Sequence, residues 1–319
     1  MSRVSSPKSP VYLLWLEWAE KCFRLNARDL AYFRSLVPAN AKVVRARSER
    51  AFLKALPGAT HAVVWDFKSE WFANAPNLRV LATPAAGREL VPTEGPKGVR
   101  IHFGGFHGQI IAESVIAFML AWSRGFFVVR KAPTGWPRAW LSDKCRTLAG
   151  TTAVIAGYGR IGRAIGAKLA PLGVDVYGIT RHGFYHGDRR IGQSADRPVL
   201  SSADWFVMAL PSTTGSDDFL DAKLIAKLPR SCVVVNVGRG NAVDERALAD
   251  ALAKGRLAGA YLDVCKAEPT AVRRKRTPTT AIDPKRPNVP NLVLMPHASA
   301  FSPDYIRLCF KELKDDGCI

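Results

Sequence analysis

The stretch "AVIAGYGRIGRAIG", Ala153–Gly166, decides the fold of this chain. It starts as an apolar run and passes through Gly157, Gly159 and Gly162 into a segment with helical spacing. A glycine inside a regular element costs about 1 kcal/mol relative to alanine. Three glycines at the point where a strand becomes a helix therefore indicate that bare backbone is needed there.

The spacing of these glycines, GxGxxG, is the fingerprint of a dinucleotide-binding turn when a strand precedes it and a helix follows. In such a turn Gly157 permits the tight bend, Gly159 lets the backbone approach a pyrophosphate, and Gly162 lets the helix pack against the strand. Free N–H groups and the positive dipole end of the helix then face the phosphates. Because the motif alone is a weak signal, the alternation of strands and helices around it carries the prediction.

On both sides of this stretch, short apolar runs alternate with segments of helical spacing. The alternation predicts a small α/β unit up to about residue 100, followed by a parallel sheet covered on both faces. A helix is predicted over 112–126 with Glu113 in its first turn, and the Pro- and Trp-rich segment 131–144 is predicted as a linker or exposed crossing loop. The predicted strands are 11–16, 42–46, 61–65, 78–84, 152–157, 174–180, 205–210, 232–237, 259–264 and 292–297.

Composition narrows the class of protein. The chain has 319 residues, enough for two modest domains, and no apolar run approaches the ~20 residues that a membrane span needs. Its six cysteines lack metal-ligand spacing, so we predict reduced thiols, a cytoplasmic protein and no metal. The net charge of +19 favours a well-solvated surface that helps attract small anions. No aromatic-and-basic signature accompanies that charge, so we expect no nucleic-acid partner.

The strand after the glycines indicates which dinucleotide binds. An acidic residue about 20 residues beyond the glycines normally holds the ribose hydroxyls of NAD. Here the strand ends instead at Thr180, followed by Arg181. A hydroxyl and a cation suit a 2′-phosphate, so we predict NADP. The alternative is that Arg181 is a surface charge and that NAD binds through Thr180.

Polar side chains lie at or just beyond the ends of the last three predicted strands: Arg239, then Asp263 and Glu268, then His297. An arginine at such an edge grips a carboxylate with two hydrogen bonds, and a histidine exchanges a proton near neutral pH. A nearby glutamate favours the protonated imidazole. Singly, these residues are better explained by an ion pair, a surface turn and a loop histidine. Together beside a nicotinamide they predict hydride transfer to or from a 2-oxo or 2-hydroxy acid.

At this point the chain closely resembles the D-isomer-specific 2-hydroxyacid dehydrogenase family. The resemblance is strong from about Leu148 to His297 and weaker through "ATPAAGRE" and "IAESVIAFMLAWSRG". It rests on "GYGRIGRAIGAKLAPLG", "LPSTTGS", "VVVNVGRGNAVDERALADALAKGRLAGAYLDV" and "PHAS". The Arg-Gly after "NVG" and the five-residue step from Asp263 to Glu268 are specific to this family.

The resemblance implies a role for each site residue. Arg239 would bind the substrate carboxylate and carbonyl oxygen, His297 would protonate that oxygen during reduction, and Glu268 would keep the pKa of His297 raised. Asp263 would take the nicotinamide carboxamide. The remaining cofactor residues would be Arg160 and Ile161 at the pyrophosphate, with Leu210, Pro211, Val237 and Gly238 lining the cofactor, and the backbone amides of Ala86 and Gly87 would hold the substrate carboxylate.

The resemblance also implies the architecture: two Rossmann-like domains, each a doubly wound parallel sheet, with the active site in the cleft between them. The substrate-binding domain would comprise residues 1–104 plus 299–319, and the dinucleotide-binding domain residues 105–298. The helix 112–124 would help to form a homodimer. The chain departs from the family pattern at Ala85, where glycine is usual, and in a basic insertion around 272–287.

The function that follows is an NAD(P)-dependent reductase of a small anionic 2-oxo acid such as glyoxylate or hydroxypyruvate. The alternative is a nucleotide-sensing, co-repressor-like regulatory protein on the same fold, with the basic insertion as its partner surface. Because such relatives keep the same residues, the residues alone leave both hypotheses open. Turnover separates them.

Overall fold

A computed structural model describes residues 9–129, 132–192, 198–268, 282 and 289–319. The chain folds as two compact units, one of Met1–His107 with Phe301–Ile319 and one of Gly108–Ala300. Within the described ranges, no helix has both the length and the apolar character needed to cross a bilayer. Apart from Ile282, the basic insertion lies outside the described residues.

The first unit is built on a five-stranded parallel sheet with the order β2-β1-β3-β4-β5. Four of these strands confirm the sequence prediction, and β5 was not predicted from the sequence because the run "RIHF" is short and interrupted by a histidine. The strand bounds are β1 Val11–Trp15, β2 Lys42–Arg45, β3 His61–Val64, β4 Val80–Thr83 and β5 Arg100–Phe103.

Three α-helices cover this sheet: α1 Ala27–Leu36, α2 Glu49–Ala55 and the C-terminal α8 Tyr305–Asp315. Asn26 caps α1, since the Asn26 side chain accepts from the Asp29 N–H while Asp29 accepts from the Asn26 N–H. Glu312 of α8 accepts the Gly105 N–H at 2.9 Å. The C-terminal helix is thus part of the first unit although it follows the second in the chain.

The second unit is built on an eight-stranded sheet with the order β13-β12-β11-β10-β6-β7-β8-β9. Six strands are parallel, as the apolar runs predicted. The last two form an antiparallel hairpin that the sequence analysis missed. The bounds are β6 Thr152–Ala156, β7 Asp175–Ile179, β8 Phe184–His186, β9 Arg189–Gly192, β10 Trp205–Met208, β11 Val233–Asn236, β12 Gly259–Leu262 and β13 Leu292–Leu294.

The described α-helices of this part of the chain are α3 His107–Ser123, α4 Arg138–Ser142, α5 Arg160–Leu169, α6 Ala222–Ile225 and α7 Glu245–Ala253. The prediction of Glu113 in the first turn of its helix was wrong, because α3 begins five residues before Ala112. The earlier start is favoured by packing: a β-carbon at Gly108 would lie 2.9 Å from the Ala164 side chain, so bare backbone lets α3 approach α5. The segment predicted as a crossing loop contains the short helix α4.

Alternate residues of the central strands enter two separate cores. Ala153 and Ile155 of β6 pack with α3 and α5 on one face, while Val154 and Ala156 pack with α6 and α7 on the other. Burial on both faces explains why these strands are continuously apolar. Because these strands are parallel, the polar residues that follow their carboxyl ends meet at one edge of the sheet, where ligands bind in open α/β sheets.

Candidate active site

The turn between β6 and α5, residues 157–162, is here called the glycine turn. Gly157 has φ +88°, a left-handed conformation that favours glycine. A β-carbon there would also lie 2.6 Å from the Ala209 carbonyl oxygen after β10. A β-carbon at Gly162 would overlap the Gly157 carbonyl. Contacts within the protein therefore account for the first and third glycines.

Gly159 differs from its two neighbours in the motif. Its φ is −89°, and, its two chain neighbours aside, no atom of the described residues lies within 4 Å of the position that a β-carbon would take. Neither strain nor packing requires glycine there. As the N-cap of α5, Gly159 has no capping side chain, so the N–H groups that begin with Arg160 and Ile161 have no side-chain acceptor at the cap. The turn therefore fits a pyrophosphate.

At the end of β7, the Thr180 hydroxyl closes a tight turn. It donates to the Gly183 carbonyl at 3.0 Å and accepts the His182 N–H at 3.2 Å. Arg181 is exposed, and Arg190 of β9 donates to the His182 carbonyl at 2.6 Å. Because the hydroxyl serves the turn, the cations are the groups at this corner best suited to a phosphate.

Two glycines flank Arg239 in the loop after β11, and both are enclosed by backbone. A β-carbon at Gly238 would lie 2.6 Å from the Leu210 N and O atoms. A β-carbon at Gly240 would overlap the Cys265 carbonyl group. The loops after β10, β11 and β12 are therefore in direct backbone contact, which fixes the base of the Arg239 side chain.

Asn236 shapes the same loop. Its side chain donates to the Arg239 carbonyl at 3.0 Å and accepts the Gly238 N–H at 3.0 Å. Arg239 is half-buried, and its guanidinium donates to the Gly238 carbonyl at 3.0 Å. Asn236 is fully buried at the end of an apolar strand, and these two bonds satisfy it.

His297 and Glu268 form a hydrogen-bonded pair. The distance from His297 Nδ1 to Glu268 Oε2 is 2.9 Å, and the imidazole is 50% exposed. The hydrogen bond with Glu268 raises the pKa of His297 above its usual value, and the Arg239 charge opposes that shift. The three predicted catalytic groups, here called the acid–base edge, thus lie within electrostatic reach of one another.

Asp263 anchors the backbone that carries His297. Its carboxylate accepts the N–H groups of Ala298 at 2.8 Å and Ser299 at 3.1 Å, as well as the Ser299 hydroxyl. Its carbonyl accepts the His297 N–H at 2.8 Å. These bonds hold His297 at φ +53°, a left-handed conformation that costs a non-glycine residue about 1 kcal/mol. The sequence analysis missed this anchoring role of Asp263 and its partner Ser299.

The predicted substrate-carboxylate loop lies in the first unit. Ala86 and Gly87 follow β4, where the Thr83 hydroxyl accepts the Ala85 N–H at 3.2 Å and the Ala85 carbonyl accepts the Gly104 N–H at 3.0 Å. The role of Ala86 and Gly87 stays a prediction of the resemblance. In the second unit, Leu210 and Val237 lie beside the glycine turn and Arg239, since β10 pairs with both β6 and β11.

Known proteins share both the sequence pattern and the fold. A family model described as the NAD binding domain of D-isomer specific 2-hydroxyacid dehydrogenases matches residues 116–299. Glyoxylate/hydroxypyruvate reductase B of Pectobacterium carotovorum is 32% identical over 238 residues, which cover 72% of this chain and 71% of the relative.

Two solved structures show the shared fold. A D-isomer specific 2-hydroxyacid dehydrogenase from Lactobacillus delbrueckii, in its NAD-complexed form, is 18% identical with a TM-score of 0.73, covering 97% of this chain and 96% of that one. An NADPH-dependent glyoxylate/hydroxypyruvate reductase from Sinorhizobium meliloti is 22% identical with a TM-score of 0.67, covering 97% and 94%.

Proposed function

This chain belongs to the D-isomer specific 2-hydroxyacid dehydrogenase family, and from that premise we propose that it reduces small 2-oxo acids such as glyoxylate or hydroxypyruvate. It is an oxidoreductase acting on CH–OH groups with NAD(P). The observation that carries the proposal is the 2.9 Å pair of His297 and Glu268 within electrostatic reach of Arg239. The strands that precede Glu268 and His297 end at the same edge of the sheet as β6, the strand before the glycine turn.

Each member of the acid–base edge has a distinct part in the proposal. When held at the glycine turn, a dihydronicotinamide cofactor would supply a hydride to C2 of the oxo acid. Arg239 binds the substrate carboxylate and polarises the carbonyl. His297, kept protonated by Glu268, donates a proton to the carbonyl oxygen as negative charge develops there. In the reverse direction neutral His297 removes the hydroxyl proton.

The proposal is tested by turnover on a panel of 2-oxo acids with NADPH and NADH, in the parent protein and in Arg239→Ala and His297→Ala. We expect turnover of glyoxylate or hydroxypyruvate and a loss of roughly 100- to 10,000-fold in each variant. Arg246→Ala, an exposed arginine on α7, serves as the control. Tight cofactor binding without turnover in the parent would defeat the proposal and favour the nucleotide-sensing alternative.

For the cofactor, we propose a preference for NADPH. Arg181 is exposed just after β7, and Arg190 of the hairpin donates to the carbonyl of the next residue, His182, so two cations lie at the corner where we expect the 2′-phosphate. Arg181→Ala should weaken NADPH by a charge-assisted contact of roughly 1.5–3 kcal/mol and leave NADH nearly unchanged. Equal losses for both cofactors, measured by fluorescence titration, would contradict the preference.

For the oligomer, we propose a homodimer that covers the apolar end of α3 and the segment after it. Phe126 is 66% exposed and Trp136 is 87% exposed, and Leu120, Phe127 and Val129 are also exposed. Phe126→Asp should lower the mass measured by light scattering from two chains to one. A parent protein that is monomeric at micromolar concentration would rule the dimer out.

The six free thiols support a reducing compartment such as the cytoplasm.

A further inference from the structure

The short segment 264–268, here called the support segment, joins β12 to Glu268. It lies beside one member of the acid–base edge and ends at another. The Cys265 carbonyl group packs against Gly240, next to Arg239. The Cys265 N–H approaches Glu268 Oε1 at 3.4 Å, while Glu268 Oε2 meets His297. The position of this segment therefore affects both Arg239 and the acid–base pair.

A buried carboxylate is hydrogen-bonded to the backbone of the support segment. Glu245, the first residue of α7, is 3% exposed, and its Oε1 accepts the Lys266 N–H at 2.6 Å. Burying a carboxylate is costly unless it is hydrogen-bonded. An apolar residue at the start of α7 would avoid that cost. The presence of Glu245 at this buried position therefore needs an explanation.

The other tie on the segment lies at the surface. The Lys266 ammonium pairs with Asp218, and both side chains are well exposed. An exposed ion pair of this kind contributes little to stability. Of these two ties, the Glu245 bond is therefore the one that a buried group makes to the Lys266 backbone.

We propose that Glu245 is a positioning residue for the acid–base pair: by fixing the support segment, it sets where Glu268 meets His297. The inference rests on the proposed function for its effect on turnover, whereas its effect on His297 is independent of any substrate. Asp244 and Asp218 also lie near Glu245, and Glu268, Asp263 and Arg239 are the charged groups that act on His297. Substitution of Glu245 leaves all five in the chain.

The test is a pH titration of the histidine ring signals by NMR, without cofactor or substrate. The His297 signal among the six histidines is assigned by its absence in His297→Gln. In Glu245→Met, which fills the same volume but offers no oxygen, the His297 midpoint should fall by about one pH unit as Glu268 moves away. Glu245→Gln keeps an acceptor for Lys266 and should hold the parent midpoint. Asp250→Ala, an exposed acid on the same helix, is the matched control.

Turnover gives the second readout. In Glu245→Met we expect kcat to fall roughly 10- to 100-fold with little change in KM, and Glu245→Gln to restore it. If the Met variant does not fold, Glu245→Asp withdraws the carboxylate by one methylene and should lower the midpoint to a smaller extent. A His297 midpoint in these variants equal to that of Asp250→Ala, or a Gln variant as damaged as Met, would overturn the inference.

The two proposals fail in different ways. A parent protein that turns over no 2-oxo acid would defeat the proposed function. A His297 midpoint that still falls in Glu245→Met would support the positioning role in that same protein.

Discussion

The glycine turn and the acid–base edge lie at the same edge of one sheet, yet they are built in opposite ways. The glycine turn works through backbone: two of its glycines make room for neighbouring carbonyls, and Gly159 leaves its surroundings open. The acid–base edge works through side chains, each held by another group. Glu268 orients His297, Asp263 holds the backbone of His297, and Glu245 holds the segment before Glu268.

The difference teaches where each kind of site tolerates change. A backbone site is sensitive to side-chain atoms that are added where neighbouring backbone encloses it. A side-chain site depends on chains of hydrogen bonds, so it is sensitive to residues that never touch a ligand. Substitutions that separate these two sensitivities sharpen the comparison, and substitutions that affect both regions alike would break it.

The largest effect is expected at Arg239. Arg239→Lys keeps the charge but loses the planar fork that grips a carboxylate with two bonds. We expect kcat/KM for a 2-oxo acid to fall roughly 10- to 150-fold, while cofactor affinity at the glycine turn stays within twofold. Steady-state kinetics and fluorescence titration measure the two quantities, with Arg246→Lys as the control. A parallel loss of cofactor affinity would show that the two regions are not separable.

The next effect is expected within the glycine turn. In Gly162→Ala the new β-carbon overlaps the Gly157 carbonyl, which is backbone and cannot move cheaply. This clash outweighs the gain in helix propensity, so the free energy of unfolding should fall by roughly 1–3 kcal/mol. Urea unfolding measures it. An unchanged midpoint of urea unfolding would mean that the turn can accommodate the β-carbon, against the expected clash.

A smaller effect is expected from the pH dependence of reduction. Because Glu268 raises the pKa of His297, the protonated imidazole persists to higher pH, and activity falls as the pH rises through that raised pKa. Glu268→Gln removes the anionic partner, so the falling limb of kcat/KM should move to lower pH by about one unit. Glu113→Gln, an exposed acid on α3, is the control. A limb that stays in place would assign the proton to another group.

The smallest effect is expected at Gly159. In the described part of the chain, only the neighbouring residues lie near the position of a β-carbon there, so Gly159→Ala should change the free energy of unfolding by about 0.5 kcal/mol, the cost of alanine at an N-cap. Cofactor affinity should fall roughly 2- to 12-fold, because the backbone is held away from the phosphates. Gly162→Ala and Gly159→Ala are each other's control. A stability loss at Gly159 as large as that at Gly162 would contradict the ligand explanation.

Much of the fold could be read from the sequence because it depends on local patterns. The apolar runs predicted four of the five strands of the first unit and the six parallel strands of the second. The hairpin β8–β9 escaped because its strands are only three and four residues long and because β9 is largely polar and exposed. The start of α3 escaped because the close approach of α3 and α5 at Gly108 is a tertiary contact that the local pattern does not show.

The candidate site, like the fold, was predictable from the sequence only in part. Arg239, Glu268 and His297 could be proposed from their places after successive strands, since parallel strands end at one edge. The anchoring of His297 by Asp263 and Ser299 joins residues 36 positions apart through hydrogen bonds, and no local pattern signals it. Glu245 lay in a stretch that matched the family, but its burial beneath the support segment is a tertiary fact.

By itself the sequence determined the α/β class, the dinucleotide turn and the residue types available for acid–base chemistry, because apolar periodicity and glycine spacing act over a few neighbouring residues. Only the tertiary structure decided which side chains meet, which glycine is left facing open space, and which buried carboxylate supports the acid–base edge. Those outcomes depend on backbone contacts between loops far apart in the chain, and such contacts exist only once the sheet has formed.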